Sequence, residues 1–383
     1  MIDRLLGPVL IKSAKDFPII GILGPRQSGK TTLSQQIFPN YEYVNLEDIS
    51  MRKFASTDPK GFLNRYSKHV ILDEVQRVPD LFSYLMVKTD KDKISGQYIL
   101  TGSQNFLLLN KISQSLAGRI ALFELYPLSY KELATANLVK QSAPEQIFYG
   151  GYPRLYEKKI NPKTWFSSYI QTYLDRDIST LSKIDDLNSF EKFLHLVAGR
   201  TGNLLNLSSL ASDVGVTHNT IKSWISLLAT SGIIRLLPPY FANINKRLIK
   251  SPKLYFVDTG LACHLLGIES SNQLPTHPLY GSLFETYVVM EMFKSVLNQG
   301  NSSKNIFFWR DKTGLEADLY IDHALNGDLY EIKSAQTIPS NPFDSLGKIK
   351  PTFNKPISLN LIYGGKENQP RTKGNIFSWE KIK

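Results

Sequence analysis

The chain has 383 residues, enough for two or three domains with full apolar cores, and its 42% hydrophobic and 21% charged composition excludes disorder as the default. Forty-five Lys and Arg against 34 Asp and Glu leave a net charge of +11, which points to an anionic partner without naming it. The single cysteine, Cys263, excludes an internal disulfide framework and a cysteine-based zinc site. No window reaches the roughly 18 apolar residues of a membrane span, and Met1 to Lys15 carries no long apolar signal core. A cytoplasmic protein without a membrane partner is the expectation.

Ile19 to Leu23 reads as a first strand and runs into Gly24-Pro25-Arg26-Gln27-Ser28-Gly29-Lys30-Thr31-Thr32, a G-x-x-x-x-G-K-T phosphate-binding loop, with a helical alternation after it. The glycines let successive N–H groups face an anion at a helix N-terminus. Lys30 is then placed to reach the β- and γ-phosphates and the Thr31 hydroxyl to ligate Mg²⁺. The whole run from Gly24 to Thr32 is a candidate nucleotide contact.

Tyr41 to Leu46 reads as the second strand, and Val70-Ile71-Leu72 leads into Asp73-Glu74 as the third. Downstream of such a loop, a carboxylate at a strand end serves Mg²⁺ and a second polarises the attacking water, so Asp73 is a candidate metal ligand and Glu74 the candidate base. Gln97 to Thr101 forms the fourth strand. If it lies between the first and third, Thr101, Ser103 and Gln104 come close to the γ-phosphate. Ile120 to Leu125 is the fifth strand, and Arg119 before it is a candidate for stabilising the transferring phosphoryl group, in cis or from a neighbouring copy. No Asn-Lys-x-Asp occurs, which favours ATP over GTP.

A helical middle follows, with Tyr173-Leu174-Asp175-Arg176-Asp177 inside its first long pattern. Leu207 to Val214 is a short helix, Gly215-Val216-Thr217 a turn, and Asn219 to Thr230 a second helix with Ile221, Trp224, Ile225 and Leu228 on one face. The strand Ile233 to Leu237 comes next. Two helices, a tight turn and a strand describe a winged helix-turn-helix, whose second helix usually enters the major groove. From Val214 to Val257 there is no Asp or Glu, and Lys222, Lys246, Arg247, Lys250 and Lys253 are candidate DNA contacts within that window. The alternative is a winged helix that serves only for packing.

In the last third, Leu283 to Phe293 reads as a helix carrying Glu285, and Leu315 to Ile321 as a strand with Glu316 and Asp318 on one face. Asn326-Gly327 is a hairpin signal, and beyond it Glu331 and Lys333 share a face. If the two strands pair, Asp318 and Glu331 converge on a hard cation beside Lys333. The alternative is a solvated hairpin whose polar face alternates acids and a lysine. Which of Glu316 and Asp318 faces a metal depends on register.

Together the Gly24–Thr32 loop, Val70-Ile71-Leu72-Asp73-Glu74-Val75-Gln76, Leu100-Thr101-Gly102-Ser103, Leu116-Ala117-Gly118-Arg119 and Gly150-Gly151-Tyr152-Pro153 resemble the prokaryotic ATPases that join a small AAA-type domain to a C-terminal domain of unknown function. Tyr255-Phe256-Val257-Asp258-Thr259-Gly260-Leu261, Glu316-Ala317-Asp318 and Glu331-Ile332-Lys333 extend the resemblance over nearly the whole chain. It implies Mg-ATP hydrolysis and a C-terminal fold similar to PD-(D/E)xK nucleases, in which Asp318 and Glu331 match the metal-binding acids, Lys333 the catalytic lysine and Glu285 an accessory helix acid. Ala317 stands where that pattern has a proline.

The expected fold is α/β: a P-loop parallel sheet of the AAA type over 1–140, a helical and winged-helix domain over 141–260, and a nuclease-like α/β domain over 261–383. The expected function is an ATPase coupled to DNA binding and cleavage. The competing expectation is an ATP-controlled switch whose nuclease-like domain is a non-cleaving scaffold for a protein partner. A homo-oligomer with Arg119 acting in trans is a third.

Overall fold

The apolar run Ile19–Gly24 forms β1, buried along its whole length, and a strand buried on both faces has to lie inside a sheet. In the computed structural model, residues 2–103, 115–173, 186–240 and 251–382 are described, and the chain packs as two units. The first holds the residues up to Leu128 with Thr230–Gly232 and Val296–Asn301, and the second holds the remainder.

In the first unit, β1 is joined by β2 (Glu42–Asn45), β3 (Val70–Asp73), β4 (Tyr98–Ser103) and β5 (Ile120–Glu124) in a five-stranded sheet of order β2-β3-β4-β1-β5. Every pairing is parallel, with Ile19 beside both Tyr98 and Ile120 and Gly24 beside Ser103. Alternate residues of β1 face opposite sides. Ile19 and Leu23 join Leu72, Leu100 and Phe82 in one apolar core, while Ile20 and Ile22 join Leu10, Leu33 and Ile71 in the other. The flanking helices include α1 (Gly7–Asp16), α2 (Lys30–Ile37) and α3 (Leu81–Asp92). Because β4 lies between β1 and β3, the loop after β1 and the acids ending β3 share the carboxyl edge of the sheet, where ligands of open α/β folds bind.

The second unit opens with short helices in which Tyr152, Trp165, Phe166 and Tyr169 form an aromatic cluster. Then come α4 (Leu187–Ala198), β6 (Asn203–Leu204), α5 (Leu207–Val214), α6 (His218–Thr230), β7 (Ile234–Leu237) and β8 (Lys253–Phe256). The three strands pair antiparallel in the order β6-β8-β7. The apolar face expected for α6 is the buried one, with Ile221, Trp224, Ile225 and Leu228 inside and Trp224 against Phe190 and Phe193 of α4.

The chain continues through α7 (Thr259–Leu265) and α8 (Tyr280–Asn298) into β9 (Ile306–Arg310), β10 (Glu316–Asp322) and β11 (Gly327–Lys333). After α9 (Asp344–Ile349) come β12 (Ile357–Tyr363), β13 (Gln369–Arg371) and β14 (Gly374–Ser378). These strands form a six-stranded sheet of order β13-β14-β12-β11-β10-β9, in which β9, β10 and β11 run antiparallel and β12 is parallel to β11. The hairpin expected at Asn326-Gly327 joins β10 to β11, with Asp322 opposite Gly327.

Asp258 caps α7 from inside the second unit. Its buried carboxylate accepts the Gly151 N–H at 2.7 Å and the Leu261 N–H at 3.1 Å. Burial raises its pKa, and the N–H groups of Gly151, Gly260 and Leu261 oppose that rise. Gly150 has φ +68, and a Cβ there would lie 2.3 Å from Asp258 Oδ1, so only glycine lets the chain pass so close. Asp258→Ala leaves these donors buried without an acceptor. It is expected to lower stability by about 3 kcal/mol, read as an earlier midpoint in equilibrium urea unfolding.

Candidate functional site

The loop after β1 is shaped by a close backbone approach. A Cβ on Gly24 would stand 2.1 Å from the Leu125 carbonyl oxygen, because the Leu125 N–H donates to Leu23 O at 2.7 Å and draws the end of β5 against the loop. Lys30, buried in the first turn of α2, donates from Nζ to the carbonyls of Gly24 at 3.0 Å and Pro25 at 2.8 Å. Ser28 is buried, Gln27 is exposed with φ 59, and Thr32 is exposed.

Asp73, buried at the end of β3, gathers donors from three other elements. Thr31 Oγ1 and Tyr43 OH both donate to Oδ2 at 2.8 Å, and Thr101 Oγ1 donates to Oδ1. Helix α2, β2 and β4 are thereby tied to one carboxylate. A hydroxyl and a carboxylate are the hard oxygen donors that Mg²⁺ prefers, and their meeting fits the ATPase assignment of Thr31 and Asp73. Glu74 follows in a left-handed conformation with φ 56, and Gln76 Nε2 donates to its carboxylate. Burial raises the Glu74 pKa, the Lys30 charge opposes that, and the Asp73 charge adds to it. Arg26 also acts on Glu74 electrostatically.

Two residues of this site were not anticipated. Arg4, buried, donates to Ser28 O at 2.7 Å and Tyr126 O at 2.6 Å, bracing the loop against the chain after β5. Tyr43 points to the opposite side of β2 from the buried Val44, and its link to Asp73 is invisible in the spacing. Of the remaining candidates, Ser103 ends β4 with its backbone beside Gly24, while Gln104 lies outside the described residues.

Arg119 is a correction. Its backbone carbonyl accepts the Ile19 N–H, which places it where the parallel strands begin. The loop leaves β1 after Gly24, five residues or about 17 Å further along the strand direction. The guanidinium grips Asp90 of α3 instead, from Nε at 2.6 Å and from a terminal nitrogen at 2.8 Å. It cannot serve the same chain's phosphates.

In the second unit Glu285 of α8 and Glu316 and Asp318 of β10 come together around a lysine, and Glu331 of β11 lies beside them with Lys333. Lys253 of β8 is only 3% exposed, and its Nζ lies 2.8 Å from Glu285, in contact with Glu316, and 3.8 Å from Asp318. Arg310 holds the other oxygen of Glu316 at 2.7 Å, Lys333 pairs with Glu331 at 2.5 Å, and the Tyr255 hydroxyl donates to Glu285 at 2.6 Å. Asp318 Oδ2 accepts the Ile332 N–H at 2.7 Å, just beyond the point where the ladder between β10 and β11 ends at Leu319 and Tyr330. Glu316 and Asp318 therefore both face the cluster.

Lys253 is thus corrected from a DNA contact to a buried ion-pair partner. Of the three acids expected at a metal, Glu285 and Asp318 flank Lys253, while Glu331 pairs with Lys333. Among the described residues no group of three or more His, Cys, Asp or Glu is arranged to hold a metal ion. Four carboxylates face Lys253, Arg310 and Lys333, leaving one negative charge in excess. Burial, then the Asp318 charge, pushes Glu285 up to about 7, and burial raises Asp318 and Glu331 too. Burial works against the Lys253 charge, but Glu285, Asp318 and Glu316 outweigh it and raise its pKa.

Of the other DNA candidates, Lys222 is exposed on α6, and Lys246, Arg247 and Lys250 lie outside the described residues. No helix among the described residues is long and apolar enough to cross a membrane.

Residues 16–134 match the family described as AAA domain, 140–272 a domain of unknown function (DUF8612), and 280–382 a domain of unknown function (DUF4143). The chain is 31% identical over 326 residues to the uncharacterized protein Rv2008c of Mycobacterium tuberculosis, covering 84% of this chain and 71% of that one. It is 24% identical over 318 residues to an uncharacterized protein of Haemophilus influenzae, covering 73% and 76%. The Walker-type ATPase PABY2304 of Pyrococcus abyssi superposes with a TM-score of 0.46 at 15% identity, covering 69% of this chain and 96% of that one.

Arg119→Ala is expected to change ATP turnover by less than about twofold in dilute, monomeric protein, since the side chain lies at the wrong end of the sheet. Steady-state phosphate release checks this, and a loss of a hundredfold or more would return Arg119 to the site.

Proposed function

The chain belongs to the same family as the mycobacterial Rv2008c protein and carries an AAA-type P-loop ATPase domain, and from that premise we propose that it is a Mg²⁺-dependent ATP hydrolase whose nucleotide state controls association with DNA. The observation that carries the hydrolase reading is the Thr31–Asp73 hydrogen bond, which unites the phosphate loop with the end of β3 beside Lys30 and Glu74. Lys30 exchanges its loop carbonyls for phosphate oxygens when ATP binds. Thr31 and Asp73 would hold Mg²⁺, which would neutralise charge on the phosphates. Glu74, its pKa raised by burial, orients the attacking water and takes its proton. Thr101 and Tyr43 share Asp73, so the arrangement at the phosphates is felt by β4 and β2 as well.

For the second unit we propose a winged helix followed by a nuclease-like domain. The order α4, β6, α5, α6, β7, β8 with a β6-β8-β7 sheet supports the first. A helix, three antiparallel strands, a second helix and a strand parallel to the third support the second. Lys222 on α6, with Lys246, Arg247 and Lys250 from the sequence between β7 and β8, would meet phosphates. The pairing of Lys253 with Glu285, Glu316 and Asp318 favours a non-cleaving scaffold over a nuclease. A cytoplasmic location, and a protein partner or second copy in place of DNA, complete the proposal as its alternatives.

Lys30→Ala is expected to abolish phosphate release, and wild-type turnover from it would refute the hydrolase reading. Glu74→Gln should keep ATP binding while slowing turnover by about 10²–10⁴. Reversing Lys222, Lys246 and Arg247 to Glu should weaken duplex binding and flatten its salt dependence by about one counterion per lost phosphate contact. Unchanged binding across a salt titration would remove the winged helix from the interface and leave the protein partner as the better reading.

A further inference from the structure

The nuclease-like reading of the C-terminal sheet implies a divalent cation held by Asp318 and Glu331, with Glu285 nearby, and the present inference rests on that reading. The residues do not fit such an ion. Mg²⁺ asks for near-octahedral oxygen coordination, and Ca²⁺ for more oxygens still. Here one oxygen of each carboxylate already answers a donor or a cation: Asp318 Oδ2 the Ile332 N–H, Glu316 Oε2 Arg310, Glu331 Oε1 Lys333, and Glu285 Oε1 both Lys253 and Tyr255.

The centre itself belongs to Lys253. An ammonium carries three N–H donors, and the three carboxylates of Glu285, Glu316 and Asp318 surround this one. Its stem is buried, and its charge also lies 5.8 Å above the centre of the Phe308 ring. Removing it from the acids would leave several like charges in a dry site, an arrangement that is strongly unfavourable. The lysine is contributed by β8, outside the C-terminal sheet, so it is not one of that sheet's own polar-face residues turned inward.

We infer that the Lys253 ammonium is the resident cation of this cluster, standing where the fold would otherwise hold a metal, so that the protein binds no divalent ion there. The C-terminal domain is then an ion-paired scaffold, with Lys253 fastening the three-stranded sheet to α8 and β10.

The test is Mn²⁺ titration of the full chain without nucleotide, with free Mn²⁺ read by electron paramagnetic resonance. Wild type and Asp318→Asn should bind the same number of equivalents, since any ion at the phosphate loop is common to both. Lys253→Met keeps the stem and removes the charge; it should take up about one further equivalent, lost again in Lys253→Met/Asp318→Asn. Binding in wild type that Asp318→Asn or Glu285→Gln abolishes overturns the inference and leaves the nuclease-like reading standing. A Lys253→Met protein with native circular dichroism and no added ion overturns both. Should Lys253→Met fail to fold, the comparison of wild type with Asp318→Asn and Glu285→Gln still decides.

Discussion

The first unit depends on one carboxylate being shared. Asp73 accepts from Thr31, Tyr43 and Thr101, and its own Oδ1 also takes the Glu74 N–H at 3.2 Å. Each of its two oxygens thus accepts from two donors. The elements they come from are α2, β2 and β4, which surround β3 in the sheet or cap its neighbour. The strand order makes that convergence available, and the hydrogen bonds make it specific: a hydroxyl misplaced by an ångström would leave a buried polar group unsatisfied. Binding chemistry at the phosphate loop is consequently coupled to the position of three secondary-structure elements through one side chain.

The second unit resolves a buried acid in two different ways. Asp258 sits among backbone N–H groups that belong to fixed elements, with the Lys294 charge adding to them, and the local chain must be glycine to admit it. Glu285, Glu316 and Asp318 sit in a cluster whose negative charge only mobile cationic side chains can answer, and β8 supplies the innermost of them. Breaking such a pair from one side leaves the other buried and alone, which costs more than the pair contributes when intact. A lysine in this position is therefore held firmly even though the salt bridges themselves add little net stability.

What was legible in the sequence was whatever local spacing determines. The phosphate loop, the five strands of the first sheet and the apolar face of α6 follow from periodicity and from glycine placement, and each lies within a residue or two of its expected span. Arg119 was misplaced because a sequence says that a residue adjoins a strand but not which edge of the folded sheet that end occupies. Lys253 was misread because a run without acids gives the sign of a charge and says nothing of its burial; the acids that claim it lie 32 to 65 positions further along the chain. Arg4 is illegible for the same reason, since its partners are 24 and 122 residues away.

The path of the chain around β7 and β8 gives the buried lysine a mechanical meaning. Before residue 241, Tyr240 donates its N–H to Phe308 O at 2.7 Å and lays its ring against Phe307, Tyr320 and Phe353. After residue 250, the chain re-enters at Lys253, fixed among the acids of α8 and β10. Both ends of the segment carrying Lys246, Arg247 and Lys250 are thus anchored on the C-terminal sheet, one by apolar stacking and the other by charge. Burial and charge together make Lys253 the firmer of the two anchors, since moving it would strand carboxylates from both α8 and β10 without their cation.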